Sequence, residues 1–292
     1  MKALWRSAIS STILTAAMLA AFVHQAPAQN PPPGVPVLLG TTGACDNATQ
    51  GGPCTEKSTL VQVDPRNGAL VRTIGPVGFT VNGLAWDATS QKLYATTAVG
   101  DVVFHGLITI DPATGAGTPV NPSLVNFGLP PDPQFVGSPI HSIAIDSKGN
   151  KVGWYNKFPP PVGVTDTFVR INTATGVATT HKNTRLSTRT NGLAFNNHDY
   201  LWNINAGTAY LLDPADGKPF ASITLSPPKA AAIGDFNPAG IQYYGLNFAP
   251  GTSTAFLLKV NVKNGTVTTV GQTVDDLHTL AFIKHRQPHN CR

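Results

Sequence analysis

The stretch that decides the fold reads Asn82-Gly83-Leu84-Ala85-Trp86-Asp87, then Leu93-Tyr94-Ala95-Thr96-Thr97, then Leu107-Ile108-Thr109-Ile110, and closes on Asp111-Pro112-Ala113-Thr114-Gly115. Three short apolar runs bounded by Gly, Pro, Asn or Asp read as three strands separated by turns. The last five residues are a hairpin turn. The Asp side chain accepts a backbone N–H two residues on, Pro presets φ, and Gly supplies the left-handed residue that lets the chain return.

Working outward, the turn recurs as Asp64-Pro65-Arg66-Asn67-Gly68, Asn172-Thr173-Ala174-Thr175-Gly176, Asp213-Pro214-Ala215-Asp216-Gly217 and Asn261-Val262-Lys263-Asn264-Gly265. The first strand recurs as 141–146 (His-Ser-Ile-Ala-Ile-Asp), 191–196 (Asn-Gly-Leu-Ala-Phe-Asn) and 278–283 (His-Thr-Leu-Ala-Phe-Ile), with a degenerate copy at Ile233-Gly234-Asp235-Phe236-Asn237. An aromatic-bearing element follows four of these, at 93–95, 153–155, 201–203 and 243–245. The copy at 278–283 has none after it. Its missing partner lies at the other end of the chain, where Val37-Leu38-Leu39-Gly40-Thr41-Thr42 matches the pattern of 93–97.

Five units of this period predict an all-β fold, a five-bladed β-propeller of four-stranded blades. The ring closes when the N-terminal strands pair with the C-terminal inner strand, which leaves no exposed edge at either end of the stack.

The Gly-Leu-Ala-x-Asp and Leu-Tyr-Ala runs, followed by x-x-Asp-Pro-x-Thr-Gly, resemble the repeats of secreted bacterial NHL-like and YVTN-like propellers over residues 36–285. The resemblance is at the level of fold. It implies that the Gly-Leu-Ala strand is innermost, and that the chain is a binding module, a lactonase or a lyase. Phe79 to Leu84 and Ser58 to Asp64 also resemble plant-type glutaminyl cyclases, departing from them at Ala85, where that family carries Glu.

The N-terminus places Lys2 and Arg6 before an uncharged apolar run and then Ala26-Pro27-Ala28, the order of a secretory signal peptide with cleavage after Ala28. The run is shorter than the roughly 20 residues a spanning helix needs. Residues 1–28 are therefore read as a signal peptide and 29–292 as one propeller domain, soluble, secreted or periplasmic, monomeric and without a membrane span.

Export makes a disulfide between Cys45 and Cys54 the local expectation, with Cys291 left over. The formal charge of +5 is scattered and no basic cluster is interleaved with aromatics, so nucleic acid is not an expected partner.

If the Gly-Leu-Ala strand is innermost, the Asp-x-x-x-Gly turns fall on one face and the long connections on the other. A scaffold that elaborates one side binds there. That side carries the first residue of each inner strand. Asn82, His141, Asn191 and His278 are thus candidate ligand-binding residues at the channel mouth, joined by Asp235, which stands where the other copies have Ala. Strand capping by these Asn and His side chains is the structural alternative.

No catalytic residue is assigned. No cofactor is expected, with calcium at Asp235 the exception worth testing, since Asn and Asp oxygens suit a hard cation. The leading function is an exported scaffold binding a small molecule or protein on its loop-rich face. The alternatives are a calcium-dependent hydrolase, lactonase or lyase at the channel and, more weakly, a glutaminyl-cyclase-like enzyme.

Overall fold

The structure, a computed structural model, describes residues 36–43, 57–97, 106–124, 126–129, 140–155, 165–188, 192–205, 207–229, 232–250 and 252–284. The signal-peptide residues, Cys45, Cys54, Cys291 and Asn191 lie outside them. Within the described residues twenty strands, numbered in chain order, form five antiparallel sheets of four.

Blade 1 joins β1 (Val37–Thr42), β2 (Thr59–Val63) and β3 (Leu70–Pro76) to the last strand, β20 (Leu277–Ile283). Blade 2 holds β4 (Val81–Asp87), β5 (Lys92–Thr97), β6 (Leu107–Ile110) and β7 (Gly117–Pro119). Blade 3 holds β8 (Ser142–Ile145), β9 (Lys151–Tyr155), β10 (Thr167–Ile171) and β11 (Ala178–Asn183). Blade 4 holds β12 (Gly192–Phe195), β13 (Leu201–Asn205), β14 (Thr208–Leu212) and β15 (Pro219–Thr224). Blade 5 holds β16 (Ala232–Phe236), β17 (Gln242–Phe248), β18 (Ala255–Asn261) and β19 (Thr266–Gln272).

The inner strands β20, β4, β8, β12 and β16 pack each on the next and back to β20, so the sheets form a five-bladed β-propeller. The ends of the ring meet as expected: Val37 lies opposite Ile283, Leu39 opposite Ala281 and Thr41 opposite Thr279. The two threonine hydroxyls share a buried hydrogen bond of 2.7 Å.

The alternation of each inner strand supplies both neighbouring interfaces, because successive side chains point to opposite faces. From β4, Leu84 and Trp86 enter the cluster shared with blade 1, whereas Ala85 enters the one shared with blade 3. Five hydrophobic clusters result, one per interface, and the core is a ring of five wedges. Each fully buried Leu, Phe or Val in them contributes about 1.5–3 kcal/mol. Phe127, in the insertion between blades 2 and 3, is fully buried in one of these wedges, so this part of the insertion packs against the blades.

All five Asp/Asn-x-x-x-Gly turns form as their chemistry demands. The side chain of Asp64, Asp111, Asn172, Asp213 or Asn261 accepts the N–H two residues on at 2.8–2.9 Å. The closing glycines have φ between +71° and +85°, the region other residues avoid.

These turns share one face with the turns that follow the inner strands. There, adjacent blades are tied together: Thr89 Oγ1 donates to Ser147 O at 3.1 Å, and Ser147 donates through its N–H and hydroxyl to Asp199 at 2.8 and 2.6 Å. Beneath them the Lys151 ammonium meets Asp87 at 2.7 Å, both side chains almost fully buried. The ends of β1, β5 and β9 and the starts of β4, β8, β12, β16 and β20 lie on the opposite face, the connection face. No helix among the described residues is long and apolar enough to cross a membrane.

Candidate functional site

The mouth on the connection face is built by a repeated irregularity. In β4, Val81 lies opposite Thr97 and Gly83 opposite Thr96, leaving Asn82 as an extra residue. In β20, Leu277 lies opposite Thr42 and Thr279 opposite Thr41, leaving His278. His141 donates its N–H to Trp154 O at 3.0 Å although Trp154 already faces Ser142, the same two-against-one arrangement. In β16 the extra residue is Ile233, whose φ of +44° is an outlier for a β-branched side chain. Such bulges bend the strand and re-aim a side chain, and they concentrate beside functional sites.

The direction of each side chain follows from its strand neighbours. A Cβ on Gly83 would meet Ser142 and Ile143 of blade 3, so Asn82, one residue earlier, turns toward blade 1 and β20. His141 shares its side of β8 with Ile143, which packs against blade 2. The ring of His278 lies 6.1 Å from that of Phe248 at the end of β17 in blade 5. His278, Asn82 and His141 thus form an arc over three consecutive blades, each leaning toward the one before.

The two imidazoles sense each other across blade 2. His141 keeps partial solvent contact by area, yet protein surrounds its ring, and its pKa falls from 6.5 to about 4, chiefly through burial and secondarily through repulsion from His278. Asn82 is 7% exposed and its Oδ1 is buried without a hydrogen-bond partner. An orphan acceptor of this kind costs about 1–3 kcal/mol. Along the axis a cavity of about 10 Å³, room for about one water, is lined by Ala85, Ala144, Ala194 and Asp235 and, toward the turn face, by Trp86, Phe195 and Lys284.

Asp235 does not join the arc. It lies farther down the axis, where Oδ2 accepts the Phe282 N–H at 2.9 Å and Oδ1 accepts the Phe236 N–H at 2.7 Å and the Lys284 ammonium at 2.8 Å. The carboxylate is an inter-blade tie between β16 and β20, which Trp86 Nε1 holds from the other side through Lys284 O at 2.8 Å. Calcium there would have to displace the protein's own cation, so the donor set fits it poorly. Among the described residues no three His, Cys, Asp or Glu side chains gather to hold a metal ion.

Two buried groups near these elements were not singled out from sequence. Asp166, 2% exposed, accepts the N–H and hydroxyl of Thr188 at 2.7 and 2.6 Å, and burial raises its pKa. Tyr243 buries a hydroxyl with no partner in the wedge between blades 4 and 5. Asp166 finds its partner 22 residues away and the Tyr243 hydroxyl has none, so no local pattern marks them.

No protein-family model matches the chain, and no curated protein matches it in sequence. Among solved structures it is similar to TolB from Acinetobacter baumannii, with a TM-score of 0.46 and 8% identity over 85% of this chain and 67% of that one. It is also similar to a putative 6-phosphogluconolactonase from Bacteroides fragilis, with a TM-score of 0.41 and 13% identity over 85% of both chains. A third likeness is to glutaminyl cyclase from Myxococcus xanthus, with a TM-score of 0.40 and 12% identity over 69% of this chain and 72% of that one. Similarity at this level concerns the fold and carries nothing about activity.

Proposed function

We propose that the chain is an exported, non-enzymatic binding scaffold that takes its ligand at the channel mouth on the connection face. The observation that supports this most directly is the orphaned Oδ1 of Asn82, set by a bulge between two histidines. Strand capping would leave that atom satisfied. On the turn face, the turns of blades 2, 3 and 4 nearest the axis are hydrogen-bonded to one another. The carboxylate that the hydrolase reading needs is already engaged by Lys284.

A library of small fragments screened by amide chemical shift tests the reading. Saturable hits are expected to move residues 81–83, 141–143 and 277–279 and to be lost in His141→Ala. Hits confined to the turn face, or none at the mouth, would refute it. Export has its own measurement: expression with the full N-terminus is expected to give a protein outside the cytoplasm whose intact mass begins at Gln29.

A further inference from the structure

We infer that the mouth recognises a primary ammonium group carried on a compact apolar body. This rests on the mouth being the ligand site and names what enters it.

Asn82 and His141 bring acceptors to the arc. Asn82 Oδ1 can only accept, and a neutral imidazole offers one accepting nitrogen. Burial keeps His141 uncharged near neutral pH, so that side of the mouth brings no positive charge of its own. No lysine or arginine occurs within β4, β8, β12, β16 or β20, so an anionic ligand finds no partner in the inner ring. A carboxylate lies at the rim instead: Asp276, two residues before His278, accepts the Gly43 N–H at 3.1 Å.

A bare transition-metal ion is less well served. A closed site takes three or four ligands, and the arc supplies two imidazoles and one amide oxygen with no carboxylate among them. Among the described residues, blade 5 brings apolar groups to the mouth. Blade 5 contributes Ile233 at its bulge, and the Phe248 ring stands beside His278, where an aromatic face favours a neighbouring cation. An ammonium donates to Asn82 Oδ1 and to a His141 ring nitrogen, and its carbon body lies against this flank.

The test titrates isotope-labelled protein with benzylammonium, benzyl alcohol, benzoate and zinc ion separately. Benzylammonium is expected to saturate shifts at residues 82, 141 and 278, with benzoate and zinc giving none there. Asn82→Leu is expected to weaken it roughly tenfold, the loss of one charge-assisted hydrogen bond. Asn82→Asp, which keeps the shape and adds charge, is expected to tighten it at least fivefold and so guards against a leucine variant that misfolds. Equal or tighter binding of benzoate, zinc or benzyl alcohol at the mouth overturns the ammonium assignment while leaving the site itself standing. Benzylammonium binding indifferent to both substitutions also overturns it. If no probe reaches the mouth, the site and the assignment fall together.

Discussion

Tyr243 carries a hydroxyl that gains nothing from being where it is. It is fully buried and unpartnered, and burial, with the charge of Asp235, pushes its pKa well above the ordinary value. A Cβ on Gly192 would collide with that oxygen, which explains a glycine at the start of a buried inner strand. Tyr243→Phe is therefore expected to be neutral or stabilising by up to about 1 kcal/mol. Gly192→Ala is expected to cost several-fold more alone than when combined with Tyr243→Phe, a coupling read from a double-mutant cycle of urea midpoints. Additive effects would mean that the hydroxyl is not the obstacle.

His141 is expected to make the protein acid-sensitive. The unfolded chain protonates this imidazole near 6.5, whereas the folded protein resists until about 4. Unfolding takes up a proton in that window, so stability is complete above about 6.5 and falls as pH drops toward 4, by up to about 3 kcal/mol. His141→Asn is expected to flatten this part of the curve of denaturant midpoint against pH.

At the scale of elements, what ties one blade to the next is polar on the turn face and apolar between the sheets. The buried Lys151–Asp87 pair crosses from blade 3 to blade 2, with the Lys151 ammonium 4.3 Å from the centre of the Tyr94 ring. Lys151→Met leaves Asp87 buried without its cation and is expected to cost about 3–5 kcal/mol. Adding Asp87→Asn should recover part of that loss, because Asn still accepts from the Thr89 and Ser90 N–H groups that Asp87 caps. A double variant no more stable than the single one, by thermal or urea unfolding, would show that the ion pair is not what the substitution breaks.

This is also the scale at which sequence reading divided. The five Asx-to-Gly turns were legible because each is complete within five residues. The ring positions of Asn82, His141 and His278 were legible from their order in the repeat. The bulges that aim them were not, since a bulge exists only relative to the partner strand. Asp235 stood out as an acid in a row of alanines, but its partners Phe282 and Lys284 lie 47 and 49 residues away and come near only when the ring closes. The Cys45–Cys54 pairing and Asn191 lie outside the described residues.

For the molecule as a whole, β20 is the strand on which the others depend. It fills two of the five wedges, sending Leu277, Leu280 and Phe282 toward blade 5 and Ala281 toward blade 2, and it pairs with β1 along its full length. A chain ending at residue 276 should lose both wedges and expose the edge of β1, a template for pairing with another chain. Aggregation or oligomers by size-exclusion chromatography and no cooperative unfolding are expected. A folded monomer from that truncation would contradict the role given to β20.

Because Val37 and Ile283 sit side by side on neighbouring antiparallel strands, their Cα atoms are about 5 Å apart. A short glycine linker could therefore join residue 284 to residue 36, and the polypeptide could be reopened between blades 4 and 5 without moving any strand. The order in which the blades are synthesised would change while the ring remained the same, so a rearranged gene of this kind separates what the fold requires from what its chain order merely inherits.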